Sequence, residues 1–252
     1  MITPDRESAD FSALVSTINA RLERDSYVVV PAVDPARVSA LRDRLYRLVK
    51  KDKSASISPS NFVGGPISLE PCRFQAVEKH FTRKADREEW SRICEEIGEN
   101  VCILLTLLSG RVGHAYEVRD PATLFSTPTL SKETQGAHRD YPWELVQRLI
   151  REHGPDLFRA FGAVIALEDF GTRLRVWRGS HNKPESEINN THAVDVIIPR
   201  AHALVFFDTT MHAGEPFLLR NLRQHLHLNV TRGRTSVLAD GDYFKYARVG
   251  DL

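Results

Sequence analysis

The chain has 252 residues and an apolar share of 42%, enough for one large hydrophobic core or two small ones. Lys and Arg number 34 against 33 Asp and Glu, a formal net charge of +1. That balance gives no strong field for nucleic acid or an anionic membrane, and no apolar run is long enough to span a bilayer.

The opening Met1-Ile2-Thr3-Pro4-Asp5-Arg6 lacks the charged-then-apolar order of a signal peptide. From Ser8 to Arg24, Phe11, Leu14, Val15, Ile18 and Leu22 recur at helical spacing. The run Tyr27-Val28-Val29-Val30 reads as a strand that stops at Pro31. Asp34-Pro35 then reads as an N-cap with proline at the first helical position. The helix it opens lines up Val38, Leu41, Leu45, Leu48 and Val49, with Arg and Lys on the solvated side. Lys50 to Pro71 is rich in Ser, Pro and Gly, the composition of a binding loop or lid. A third helix is predicted from Asp86 to Leu108, buried toward its end and stopped by Gly110. Cys94 and Cys102 fall in its apolar pattern as core residues. With Cys72 they make an odd number and no closely spaced metal motif, so a reducing compartment, the cytoplasm, is expected.

From Val112 the pattern changes to short strands between turns: Ala115–Val118, Phe161–Leu167, Leu174–Trp177, Val194–Ile198, Ala203–Phe207 and Arg223–Val230, with a helix inserted at Trp143–His153. Many strands after initial helices predict an α+β, mainly β fold, a sandwich or jelly roll with helices on one face. No linker divides the chain, so a single domain over 1–252 is expected, helical to about residue 110 and jelly roll over about 111–240.

The last strand alternates Leu226, Leu228 and Val230 with Arg223, His225, His227 and Asn229. Side chains alternate faces along a strand, so the polar set points one way together and is expected to line a wet cavity. His225 and His227 read either as pocket residues or as hydrogen-bonded core histidines.

His138 and Asp140, two apart, project to one side of an extended segment, and His212 follows the apolar run that ends at Phe207. Two imidazoles and one carboxylate with open positions opposite are the ligand set of a non-haem Fe(II) site that activates O2. The letters His138-Arg139-Asp140 and Asp169-Phe170-Gly171 also occur in protein kinases. Here no glycine-rich loop and no V-A-I-K lysine precede them, and Leu145 stands where a magnesium-binding Asn is required.

Taken in order, Asp25–Pro31 with Asp34–Val38, Gly136–Asp140, Val164–Asp169 with Leu174–His181, and Arg200–Phe207 leading to His212 resemble the phytanoyl-CoA dioxygenase family of Fe(II)/2-oxoglutarate oxygenases. The resemblance covers most of the chain. It implies a double-stranded β-helix (jelly roll) with N-terminal helices packed on the major sheet. It implies that His138, Asp140 and His212 bind Fe(II) and that Arg223 pairs with the distal carboxylate of 2-oxoglutarate, a task suited to a planar guanidinium. It further implies that O2 is the oxidant, that succinate and CO2 are released, and that a C–H of a small molecule is hydroxylated, with desaturation or cyclisation as further outcomes of the same chemistry. A carboxylate at Asp140, where related halogenases have a small residue, favours hydroxylation, desaturation or cyclisation over halogenation. The chain departs from the family pattern at Arg178, where proline is usual, and at Glu215-Pro216-Phe217, where asparagine and serine often follow the distal histidine.

Arg139, Tyr141, Trp143, Arg175 and Trp177 suit a small substrate that carries a carboxylate or other anion beside an apolar part. Against this, Tyr141 and Trp143 would also serve to pack the following helix, and Arg175 to face solvent. His181 is expected to be structural. The expected partner is a small molecule rather than nucleic acid or membrane, and the oligomeric state is open. The rival reading is a non-catalytic jelly-roll module that binds a small molecule or metal; a dioxygenase without cosubstrate is a third.

Overall fold

In the computed structural model, which describes residues 9–51, 74–78, 81–109, 116–126, 134–153, 160–215, 219 and 221–230, helices form where apolar spacing demands them. α1 (Ala9–Asp25) buries Ile18 and Leu22, and α2 (Pro35–Lys51) buries Val38, Leu41, Leu45 and Leu48. Asp34 caps α2 as expected: its Oδ1 accepts from the Ala36 N–H at 2.9 Å. α3 (Lys84–Leu108) buries Trp90, Ile93, Ile97, Val101 and Leu105; Cys94 is sealed within it and Cys102 is partly covered. Cys72, Gly110 and most of the Lys50–Pro71 connection lie outside the described residues.

Six antiparallel strands form the larger sheet, in the order β1 (Tyr27–Pro31), β7 (His202–Phe207), β4 (Phe161–Ala166), β9 (Asn221–Val230), β3 (Tyr116–Ser126) and β2 (Phe74–Ala76). Three form the smaller one: β6 (Ala193–Ile198), β5 (Thr172–Trp177) and β8 (His212–Gly214). α4 (Trp143–His153) matches its predicted span. β3 extends well beyond the predicted Val118, because a register shift between Arg119 and Ala122 absorbs Pro121 without breaking the ladder. β2 and β8 were not anticipated, since three residues are too few to show alternation.

The larger sheet has two buried faces. Val28, Val30, Ala163, Ile165, Ala203, Val205, Leu226 and Leu228 share one core with the helices. Val164, Ala166, Leu204 and Phe206 pack instead on Leu174, Val176, Val196 and Ile198 of the smaller sheet, which closes the jelly roll. Each buried Val, Leu, Ile or Phe among them contributes about 1.5–3 kcal/mol. α3 lies close on the sheet at Gly98, where a Cβ would sit 2.5 Å from Val118 Cγ2 and 2.9 Å from Leu226 Cδ1.

Asp169-Phe170-Gly171 forms the turn between β4 and β5, with Gly171 at φ +74°, so these letters serve chain reversal. His181 packs face to face on Phe207 at 4.4 Å, and its Nδ1 lies 2.8 Å from Ser26 Oγ. It ties the end of β5 to the α1–β1 corner, a structural place.

Candidate metal centre

The site is built on backbone pairing. The His138 N–H donates to the His212 carbonyl and the His212 N–H to the His138 carbonyl, both at 2.9 Å. Residues paired in this way present their side chains on the same face. The bridge adds one rung to the smaller sheet beyond β8. Asp140, two residues on, returns to that face, and its N–H donates to the Asp208 carbonyl at 3.1 Å. The ligand atoms of His138, Asp140 and His212 all lie within 4.8 Å of one another, and all three residues are buried. His212 Nε2 is 3.6 Å from Asp140 Oδ1. Ligands about 2.1 Å from one ion stand about 3.0–3.4 Å apart, so the set is nearly preformed.

Hydrogen bonds fix which imidazole nitrogen is presented. His138 Nδ1 is 2.9 Å from the Gly136 carbonyl and His212 Nδ1 is 3.0 Å from the Thr210 carbonyl. A carbonyl oxygen can only accept, so the proton sits on Nδ1 in both rings. Each Nε2 then offers its lone pair to the metal. Gln135 completes this wall. Its Oε1 accepts from the Gly214 N–H at 3.0 Å, which leaves its amide nitrogen 3.5 Å from His138 Nε2.

Burial alone would raise the Asp140 carboxyl, but the His212, His225 and His227 imidazoles outweigh it and hold it well below the ordinary range. Burial pushes His225 down to about 4, against the pull of Asp140. It pushes Asp208 up to about 6, with His227 opposing and Asp140 adding to the rise. The centre therefore offers an ionised carboxylate beside two imidazoles that present Nε2, a donor set that fits a divalent transition ion.

The β9 alternation holds. Arg223, His225 and His227 lie opposite Ala166, Val164 and Gly162 of β4 and face the space between the sheets. Arg223 is 2% exposed, with its guanidinium 3.5 Å from Thr172 Oγ1 and 3.4 Å from the Arg173 carbonyl. Arg223 is one same-face step along β9 from His225, about 7 Å. His225 in turn lies 3.4 Å from Asp140 Oδ2.

Of the proposed substrate residues, Tyr141 stays near the centre. The Tyr141 ring meets His227 edge-on at 6.1 Å. Trp143, at the start of α4, buries an indole N–H that has no acceptor among the described residues. Arg139 points the other way, as the residue between two ligands must. Its Nε is 3.0 Å from Glu185 Oε1, and it donates to the Lys183 carbonyl at 2.6 Å. Arg175 pairs across the sheet with Ala213, while Val176 pairs with His212, so Arg175 lies on the face away from the metal ligands. There it binds Asp195 at 2.8 Å and Glu215 at 3.2 Å. Trp177 shares that face and packs on Ile188, Met211 and Ala213. The structure does not bring Arg139, Arg175 or Trp177 to the centre. Sequence reading missed Gln135 and Asp208, which have no motif of their own; Asp208 carried only the signal of a carboxylate directly after an apolar strand.

A jelly roll that presents His-x-Asp and a distal His between its sheets defines a facial-triad metal protein. Residues 22–218 match the family model for phytanoyl-CoA dioxygenase, and the chain belongs to that family. No curated protein matches the sequence. Among solved structures it is similar to SnoN, the non-haem α-ketoglutarate-dependent epimerase of nogalamycin biosynthesis, at 18% identity over 86% of this chain and 83% of that one, TM-score 0.58. SnoN in complex with Fe3+, α-ketoglutarate and nogalamycin RO gives 16% identity over 86% and 84%, TM-score 0.60. EctD from S. alaskensis, with 2-oxoglutarate and 5-hydroxyectoine, gives 18% identity over 92% and 79%, TM-score 0.57. At these identities the likeness is one of fold.

Proposed function

We propose that the chain is a single Fe(II)/2-oxoglutarate-dependent oxygenase domain that oxidises a C–H of a small molecule bearing a carboxylate. The observation that carries this reading is the convergence of His138, Asp140 and His212 on one point, with the buried Arg223 guanidinium on the facing sheet. When bound, Fe(II) with 2-oxoglutarate and O2 supplies the oxidising power, and succinate and CO2 leave. The chain's own residues position and shield. His138, Asp140 and His212 hold one face of the metal. Arg223 pairs with the distal carboxylate of 2-oxoglutarate, the Thr172 hydroxyl beside it. Tyr141 and Trp143 border the substrate, with the Trp143 indole N–H as a donor to its acid group. Hydroxylation rather than halogenation is the outcome favoured for an intact carboxylate ligand at position 140; the similar solved structures include an epimerase and an ectoine-bound enzyme.

The test is succinate formation from 2-oxoglutarate in the presence of Fe(II) and O2, screened over amino acids, acyl thioesters and natural-product scaffolds bearing an acid. Turnover that rises with one substrate class and falls strongly in Arg223→Ala supports the reading. Product formation that ignores 2-oxoglutarate, or binding without any turnover, sinks it.

A further inference from the structure

Beside the proposed ligands stands a chain of polar side chains: His225, His227 and Asp208. Asp140 divides its two oxygens between them and the metal side. Oδ1 faces His212 Nε2 at 3.6 Å, while Oδ2 faces His225 Nε2 at 3.4 Å. Carboxylate rotation is a soft, roughly two-fold torsion, so an aspartate that ligates through one oxygen needs something to hold the other. The floor under Oδ2 is Gly162: a Cβ there would come within 3.2 Å of that oxygen. The backbone is already fixed by the bond from the Asp140 N–H to the Asp208 carbonyl.

His225 is itself held. Its ring lies 4.9 Å from that of His227 and 6.2 Å from that of Phe206, and it stands over Val164 and Ala122 on the neighbouring strands. His227 Nδ1 in turn lies 3.7 Å from Oδ1 of the buried Asp208. An ionised carboxylate only accepts, so for this pair to bond the nitrogen facing Oδ2 must carry the hydrogen. The set Asp140, His225 and His227 also brings ligand atoms within 4.8 Å of one another, but it shares Asp140 with the first set.

Resting on the metal-centre reading above, we propose that His225 is a positioning residue: it donates to Asp140 Oδ2 and so presents Oδ1 to the metal, with His227 and Asp208 bracing its ring. Partners of this kind behind metal ligands commonly change metal affinity 10–100-fold.

The test is anaerobic Co(II) titration of the full chain by calorimetry, without 2-oxoglutarate, comparing wild type, His225→Gln, His225→Met and His138→Ala, with urea unfolding of each metal-free protein alongside. Gln keeps a donor at similar size and Met does not. The proposal expects His225→Met to bind Co(II) about 10–100-fold more weakly, His225→Gln to recover to within about five-fold of wild type, and both to share one urea midpoint. Equal Co(II) affinity in the Gln and Met variants overturns it, as does a loss in Met matched by a lower urea midpoint. Two ions bound by wild type and one by His225→Met also overturns it, in favour of a second cation among His225, His227 and Asp208. If His138→Ala binds as wild type does, the metal centre itself is wrong; if only His138→Ala weakens binding, the centre stands and the role of His225 falls.

Discussion

His138 and His212 meet as a hydrogen-bonded antiparallel pair, each donating its N–H to the other's carbonyl at 2.9 Å. The two imidazoles, far apart in sequence, are thereby placed 4.4 Å apart, ring centre to ring centre, before any ion arrives. A site fixed by main-chain pairing does not depend on side-chain luck, and its weak points are the groups that set the third ligand.

Gly162 is the first of these. A methyl group there would sit 2.5 Å from the Phe206 ring and 3.2 Å from Asp140 Oδ2. Gly162→Ala is expected to cost about 1–3 kcal/mol of stability through overpacking and to weaken metal binding at the same time. Urea unfolding and Co(II) titration of the one variant check both, and an unchanged Co(II) affinity would show that Asp140 does not rest on this floor.

A polar relay braces the helical side. Trp90 Nε1 donates to Thr123 Oγ1 at 2.9 Å, and because an indole N–H only donates, the Thr123 hydroxyl must pass its own hydrogen to Gln224 Oε1, 2.8 Å away. Thr123→Val strands both neighbours in the core and is expected to cost about 2–3 kcal/mol, whereas Thr123→Ser keeps the relay and costs less. Denaturant midpoints of the two variants decide it; a Val variant as stable as Ser would contradict the relay.

Burial raises the Cys94 thiol well above its ordinary value and that of Cys102 to about 11. Folded values above unfolded ones mean that this contribution to stability is complete below the ordinary thiol range and is lost as pH rises through the folded values. In a Cys72→Ser background, Cys102 at pH 8 would be thiolate in about one molecule in a thousand. Both thiols are expected to react with a disulfide reagent only slowly in native protein and rapidly in urea, and fast native labelling would refute the burial argument.

Arg175 stands with its back to the centre. Arg175→Ala removes its pairs with Asp195 and Glu215 and leaves the buried Glu215 carboxylate without that cation. Lower stability with unchanged Co(II) affinity is expected. A variant that keeps its stability but loses metal affinity would place Arg175 at the site after all.

Much of this was legible in the chain because periodicity carries it. Val38, Leu41 and Leu45 announce a helix face, and Arg223, His225 and His227 announce a shared strand face, and both hold. His138-x-Asp140 and His212 were legible as letters, but only pairing across the sheet shows that they meet. β8 escaped because three residues have no measurable period. Arg175 and Trp177 were misplaced for a physical reason. A strand that borders a cavity shows it only every second residue, and the register with β8 that decides which one is non-local. Asp208 and Gln135 act through contacts that no local pattern records.

The most direct measurement is the visible spectrum of the anaerobic protein with Fe(II) and 2-oxoglutarate. The account predicts a weak charge-transfer band in wild type, absent in His212→Ala, and needing far more 2-oxoglutarate to develop in Arg223→Ala. No band in wild type, or a band unchanged by His212→Ala, would contradict it.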